Sequence, residues 1–261
     1  MISFFLKFKF IRNRFKFHFL HSYFSELQLT IPVGSDYWAH LCENDSYNSF
    51  SEIFIQREYS DFIPDETIFK VLDIGANYGY FSLWIQSMRP QDKIHSVLVE
   101  PSLRCSRSLE KLVDLPQLQN RFQYLQLAIG DPKDPQIRFF DRPYMAGSIF
   151  GSDHKDSSYY ANTLKASDVF SSESSTFDLI KCDIEGGEWE LIKNYPSILE
   201  HSRFLVMEWH SWHSGGGGFP QIEKTLTDIG LHIIKSSQPH KAVCRDGEVG
   251  LFLAKNLNFQ N

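Results

Sequence analysis

The segment Val71-Leu72-Asp73-Ile74-Gly75-Ala76-Asn77-Tyr78-Gly79-Tyr80-Phe81 decides how this chain is read. An apolar run ends at Asp73 and Ile74, turns at Gly75, and enters a helical pattern near Gly79. Glycine permits a sharp turn and lets a ligand approach the backbone without meeting a Cβ. In open α/β sheets ligands bind beyond the carboxyl ends of the strands, so this turn is expected to face one. A dinucleotide site asks for G-x-G-x-x-G, with a helix N-terminus aimed at a pyrophosphate. The spacing here is D-x-G-x-x-x-G, with a carboxylate at the strand end. Asp73 suits S-adenosylmethionine, which carries an ammonium and a sulfonium and no phosphate.

Outward from this turn the pattern is regular. Apolar runs of strand length fall at 69–74, 94–99, 122–129, 177–182 and 204–209, and helical stretches at 78–88, 102–115, 188–199 and 220–229. Nearly continuous apolar runs suit strands buried on both faces of a parallel sheet. Their alternation with helices predicts a doubly wound α/β fold. Residues 231–235 and 249–254, with a turn near Asp246-Gly247, predict an antiparallel hairpin that closes one sheet edge. The insertion 131–176 holds an extra strand at 137–141 and is expected to shape a pocket.

The next strand ends in Glu100-Pro101-Ser102, where an acid can accept both ribose hydroxyls. The alternative for Glu100 is to cap the following helix. Ala128, at the end of the third run, is a candidate wall for an adenine ring. The fourth and fifth runs end in Lys181-Cys182-Asp183-Ile184-Glu185-Gly186-Gly187-Glu188 and Glu208-Trp209-His210. Charges at the end of an apolar strand are costly unless paired or used. Strand parity puts Lys181, Asp183 and Glu185 on one side if the extended geometry persists, and if the two strands are neighbours Lys181 can pair with Glu208. A sulfonium is already an activated electrophile, so methyl transfer needs an aligned acceptor and, for a hydroxyl, a base. His210 is the first candidate base and Asp183 the second, with Glu185 as an orienting acceptor. Asp183, Glu185, Glu208, His210 and His213 together offer oxygen and nitrogen ligands, but no H-E-x-x-H spacing supports a metal, and the site is read as metal-free. Gly215–Gly218 reads as a lid hinge.

Composition sets the rest. With 42% hydrophobic residues, 23 of them Phe, the chain can bury a large core. Four separated cysteines and no C-x-x-C pair suggest reduced thiols and a cytoplasmic protein. The net charge of −6 argues against nucleic acid as partner. It hides an asymmetry, because Lys7, Lys9, Arg12, Arg14 and Lys16 precede the first acid, Glu26. Residues 1–50 are therefore read as a basic, Phe-rich extension and cap on a domain spanning 51–261. Phe4, Phe8, Ile11, Phe15 and Phe19 share one helical face. That face either packs on the body or within an oligomer, or makes a peripheral membrane contact through residues 1–20. The arm lacks the continuous apolar stretch of a signal peptide, and no run reaches the length of a membrane span.

The chain resembles the FkbM family of methyltransferases. The resemblance rests on Leu72–Gly79, Glu100-Pro101, Ala128-Ile129-Gly130, Lys181–Glu188 and Glu208-Trp209-His210, in that order over about 68–256. It implies a class I methyltransferase fold with a seven-stranded sheet and S-adenosylmethionine as cofactor. It also implies a small-molecule acceptor, a hydroxyl of a sugar or natural product. Asp73, Gly75, Asn77, Tyr78, Gly79, Glu100 and Ala128 would line the cofactor, and Asp183, Glu185 and His210 the acceptor. Cys182 stands where the family usually has an aliphatic residue. The alternatives are a non-catalytic relative that binds the cofactor, and an NAD(P)-dependent oxidoreductase, which the missing G-x-G-x-x-G argues against.

Overall fold

The computed structural model describes Ile11 and residues 29–34, 36–41, 44–143, 146–151, 157–170, 175–212, 218–242 and 246–259. The rest of the basic arm, Cys42, Tyr144, His213, Gly215–Gly217 and Cys244 lie outside the described residues, as does much of the polar stretch 152–158.

The centre is one twisted sheet. β3 (Lys70–Ile74), β4 (His95–Val99), β5 (Phe122–Leu125), β8 (Phe177–Cys182), β9 (Ser202–His210), β10 (Leu231–Ser236) and β12 (Glu248–Asn256) lie in the order β10-β12-β9-β8-β3-β4-β5. The two-residue β11 (His240–Lys241) adds to β12. Neighbours from β5 to β9 pair in parallel, while β12 runs antiparallel to both β9 and β10. The expected hairpin is therefore present, but its second strand sits inside the sheet and its first forms the edge.

Period-two alternation divides the apolar strands between two cores. Val71, Leu98, Leu179, Phe204, Val206, Leu251 and Leu253 belong to one, and Leu72, Val99, Ile180, Leu205, Met207, Phe252 and Ala254 to the other. The first core is covered by α1 (Asn44–Phe50), α2 (Tyr80–Met88) and α3 (Leu103–Val113). The second is covered by α4 (Ala166–Val169), α5 (Glu188–Asn194), α6 (Pro196–Glu200) and α7 (Phe219–Asp228). Helix α2 is buried from Tyr80 through Gln86, as a helix sandwiched between a sheet and a second layer must be.

That second layer is the N-terminal cap. A hairpin of β1 (Leu29–Pro32) and β2 (Trp38–Leu41) precedes α1, which continues into a π-helical turn, Ser51–Gln56. Ile31, Leu41, Tyr47, Phe50, Ile53 and Phe54 share the core of the sheet, and Phe50 and Phe54 pack edge-on against Tyr80. The boundary expected at 50/51 thus falls inside a helical stretch, without a break in packing. The single helix expected at 188–199 is two. Pro196 lacks an amide hydrogen and pushes Tyr195 out of helical geometry, to φ −128° and ψ 43°. The strand expected to run to 129 stops at Leu125, with Ala128 making an isolated bridge to Thr163. The extra strand expected at 137–141 is β6 (Gln136–Phe140), and its partner β7 (Ser158–Asn162) had no clear sequence signal.

Candidate active site

The strand tips open onto a cavity of about 400 Å³, within the range of small-ligand pockets. Its first half is made by the turns after β3, β4 and β5. Gly75, Asn77 and Gly79 all take positive φ, 73°, 52° and 74°, which turns the chain sharply from β3 into α2. Gly75, Ala76, Asn77 and Tyr78 line the cavity together with Glu100, Leu127, Ala128, Ile129 and Phe139. Glu100 accepts the Asn77 and Ser102 amides at 2.9 and 2.8 Å, tying the first turn to the second. Burial outweighs these bonds and pushes its carboxyl up to about 7. Ser102 itself caps α3, its hydroxyl accepting the Arg104 amide.

Two of the expected cofactor residues do other work. Asp73 is fully buried beneath the turn and does not line the cavity. Its Oδ2 accepts the Ser82 hydroxyl at 2.8 Å, and its Oδ1 lies 3.7 Å from Lys181 Nζ. Gly79 faces α3, where an added Cβ would run into Leu112. Gly75 does line the cavity, but its missing side chain makes room for protein, because a Cβ there would fall on the Asp183 carbonyl oxygen.

The other half gathers the tips of β8 and β9. Lys181 stands opposite Asp73 in the β3–β8 register, so it pairs with Asp73 and Asp183 (3.7 Å each) and donates to the Gly75 carbonyl at 2.7 Å. The expected Lys181–Glu208 ion pair is replaced by these partners. Strand geometry ends at Cys182, and Glu185 takes φ 54°, so parity does not carry from Lys181 to Glu185. Asp183, Glu185, Glu208 and His210 nevertheless all line the cavity. Glu188 lies behind them, fully buried, and its Oε1 accepts the Ile184 and Gly186 amides and His210 Nδ1 at 3.1, 3.2 and 3.0 Å. Burial alone would lower His210, but the Glu188 carboxylate overrides it and raises the imidazole to about 10.

The cap completes this half. The π-helical turn and the residues after it bring Glu52, Glu58 and Tyr59 to the cavity. The Tyr59 hydroxyl lies 3.2 Å from Asp183 Oδ2 and 3.3 Å from Glu208 Oε2, bridging the two carboxylates. Burial and neighbouring carboxylates push Glu52 up to about 8 and raise Glu58 and Glu208 as well. None of the three cap residues carries a sequence motif. Trp212 lines the cavity, its ring centroid 4.4 Å from that of His210, whereas Trp209 packs in the core and Tyr160 is exposed. Asp183, Glu185 and His210 also place one ligand atom each within 4.8 Å of the other two, three of the side chains weighed as ligands in the sequence, where the spacing reads as metal-free.

The Methyltransferase FkbM domain family matches residues 73–233. The chain belongs to the FkbM methyltransferase family. Membership makes it an S-adenosylmethionine-dependent methyltransferase and sets the NAD(P) alternative aside. The cavity fits that cofactor, since Glu100 and the Gly75–Tyr78 backbone line it beside the apolar Ala128 and Phe139. FkbM from Methylobacillus flagellatus KT shares the fold at a TM-score of 0.50 and 16% identity, over 80% of this chain and 50% of that one. A Pyrococcus horikoshii protein described as a transferase matches at 0.50 and 12%, over 88% and 72%. No curated protein matches the sequence. Among the described residues of this FkbM protein, no helix is long and apolar enough to cross a membrane.

Proposed function

We propose that this FkbM protein methylates a hydroxyl group of a small molecule, of the sugar or natural-product class. The observation that carries the reading is the cavity itself, which runs without a break from Glu100 to His210 and Trp212. S-adenosylmethionine supplies the methyl group at the Gly75–Ala128 end. The chain's own part is to hold the acceptor oxygen in line and to receive its proton. With Nδ1 committed to Glu188 and the imidazole raised to about 10, His210 meets an acceptor through Nε2–H as a donor rather than as the base expected from the sequence, 3.7 Å from Glu208 Oε1. Asp183 and Glu185 flank it as proton acceptors and orienting groups. Trp212 offers an apolar ring face, of the kind on which a sugar or flat ring packs.

The acidic balance of the chain favours a small acceptor over nucleic acid. Cys182 is a free, buried thiol, which suits the cytoplasm. The basic, Phe-rich residues 1–20 supply a contact for an anionic membrane surface or a partner.

The test is calorimetry with S-adenosylmethionine and S-adenosylhomocysteine, followed by a radiolabelled methyl-transfer screen with alcohols and glycosides matched to amine analogues. Saturable binding of both sulfur ligands and transfer to hydroxyl compounds alone are expected. Transfer confined to amines would overturn the acceptor assignment, and tight cofactor binding with no transfer to any acceptor would favour a non-catalytic protein.

A further inference from the structure

The structure assigns a divalent-cation site to Asp183, Glu185 and His210, at the acceptor end of the cavity. The assignment rests on the reading of that end as the acceptor pocket. Each of the three side chains places a ligand atom within 4.8 Å of the other two. Ligands held 2.0–2.1 Å from a six-coordinate ion lie about 3–4 Å apart, so the group must draw in by roughly 1 Å.

What separates this trio from an ordinary acidic patch is its support. His210 is 2% exposed, its Nδ1 is fixed by Glu188, and its Nε2 lies toward the cavity with Glu208 Oε1 at 3.7 Å, beyond hydrogen-bond reach. A carboxylate behind an imidazole is the arrangement that orients a histidine toward a metal and sets its tautomer. Glu188 also accepts the Ile184 and Gly186 amides, so one buried carboxylate positions the histidine and braces the loop that carries Asp183 and Glu185. The Glu185 backbone is held in turn, its carbonyl accepting Ser148 Oγ at 2.8 Å and Trp212 Nε1 at 3.2 Å. Asp183 is oriented by the Tyr59 hydroxyl.

The donor set is two carboxylates and one imidazole, with no thiolate. Such a set suits a six-coordinate ion of the Mn²⁺, Mg²⁺ or Fe²⁺ kind, with positions left for water or acceptor oxygens. An ion here would displace the proton of His210 Nε2 to solvent, bind the acceptor hydroxyl directly and lower its pKa, which a lone base cannot do. Glu208 and Tyr59 would then border the ion.

The experiment is Mn²⁺ titration of the full chain, followed by the electron paramagnetic resonance of free Mn²⁺, with S-adenosylhomocysteine binding measured on the same samples. One equivalent of bound Mn²⁺ is expected. Affinity should fall at least tenfold in Glu185→Gln and in Asp183→Asn. It should fall about 10- to 100-fold in Glu188→Gln, which touches the ion only through His210. Each variant should keep S-adenosylhomocysteine binding, which shows that it folds. Protein that binds S-adenosylhomocysteine but no Mn²⁺ would overturn the cation site and leave the methyltransferase reading intact. Equal Mn²⁺ affinity in wild type and all three variants would place the ion elsewhere and overturn it too. Loss of S-adenosylhomocysteine binding by the wild type would instead strike the cofactor reading.

Discussion

The end of the cavity proposed for the cofactor comes from the tips of β3, β4 and β5, whereas the end proposed for the acceptor draws on β8, β9 and a cap more than a hundred residues away. The first end is made largely of backbone: the positive-φ turn at 75–79 and amides gathered by Glu100. The second is made of side-chain charge: five carboxylates (Glu52, Glu58, Asp183, Glu185 and Glu208) against Lys181 and His210. A backbone site tolerates side-chain change but not a displaced turn. A charged site depends on each partner being present, because an unmatched buried charge is costly. The two ends should therefore respond differently to substitution.

Gly75→Ala should have the largest effect. It forces a side chain into left-handed backbone and onto the Asp183 carbonyl, breaking both ends together, at a cost of about 4 kcal/mol. Thermal melting should drop by roughly 10 °C, and an unchanged melt would show that the turn and the β8 loop are not locked. Next comes Glu188→Ala, which removes the acceptor of three hydrogen bonds and should cost about 2–3 kcal/mol in urea denaturation. Its S-adenosylhomocysteine affinity should stay within about threefold, since the loss is at the acceptor end. A collapse of that affinity would erase the distinction between the ends. Glu100→Gln acts at the other end: its amide nitrogen cannot accept one of the two backbone amides, so the melt should fall by roughly 3 °C, while calorimetry reads about tenfold weaker S-adenosylhomocysteine, or about 1.4 kcal/mol. Tyr59→Phe should cost about 1 kcal/mol of stability by unbridging Asp183 and Glu208, with no change in cofactor affinity.

The smallest effect is one of pH. Burial raises Glu100 to about 7, and only the ionised carboxylate accepts two ribose hydroxyls without giving up an oxygen to its own proton. Affinity for S-adenosylhomocysteine should rise about threefold from pH 6 to pH 8, and Glu100→Gln should flatten the profile. Folding runs the other way. The folded chain keeps a proton on Glu100 that the unfolded chain loses above 4.5, so this group's contribution to stability falls as pH rises from 4.5 to about 7.

The sheet was legible because each strand is a local event, an apolar run bounded by a turn. The 75–79 turn and the charged ends of β8 and β9 were legible for the same reason. Asp73 was misplaced because its partner is set by strand order. Only the seating of β8 beside β3 brings Lys181 opposite Asp73, and no local pattern encodes that crossover. Glu52, Glu58 and Tyr59 were missed for a related reason. Tyr59 reaches Asp183 and Glu208 across 124 and 149 residues of chain, and nothing near Tyr59 in sequence marks it. Gly79 was read as a cofactor contact because sequence shows the absence of a Cβ but not which neighbour, Leu112 or a ligand, needs the room.

The seat of β12 carries a consequence for the order in which the molecule can assemble. β10 leaves the ribosome before β12, yet its neighbour in the finished sheet is β12 itself. Until Glu248–Asn256 has emerged, the edge of β9 stays open and β10 has nowhere to dock. A nascent chain can complete the cofactor strands β3 to β5 early, whereas the flank of β9, which presents Glu208 and His210, closes last. A ribosome stalled before residue 248 should therefore display an open strand edge beside the future acceptor pocket, which is where a chaperone would be expected to engage.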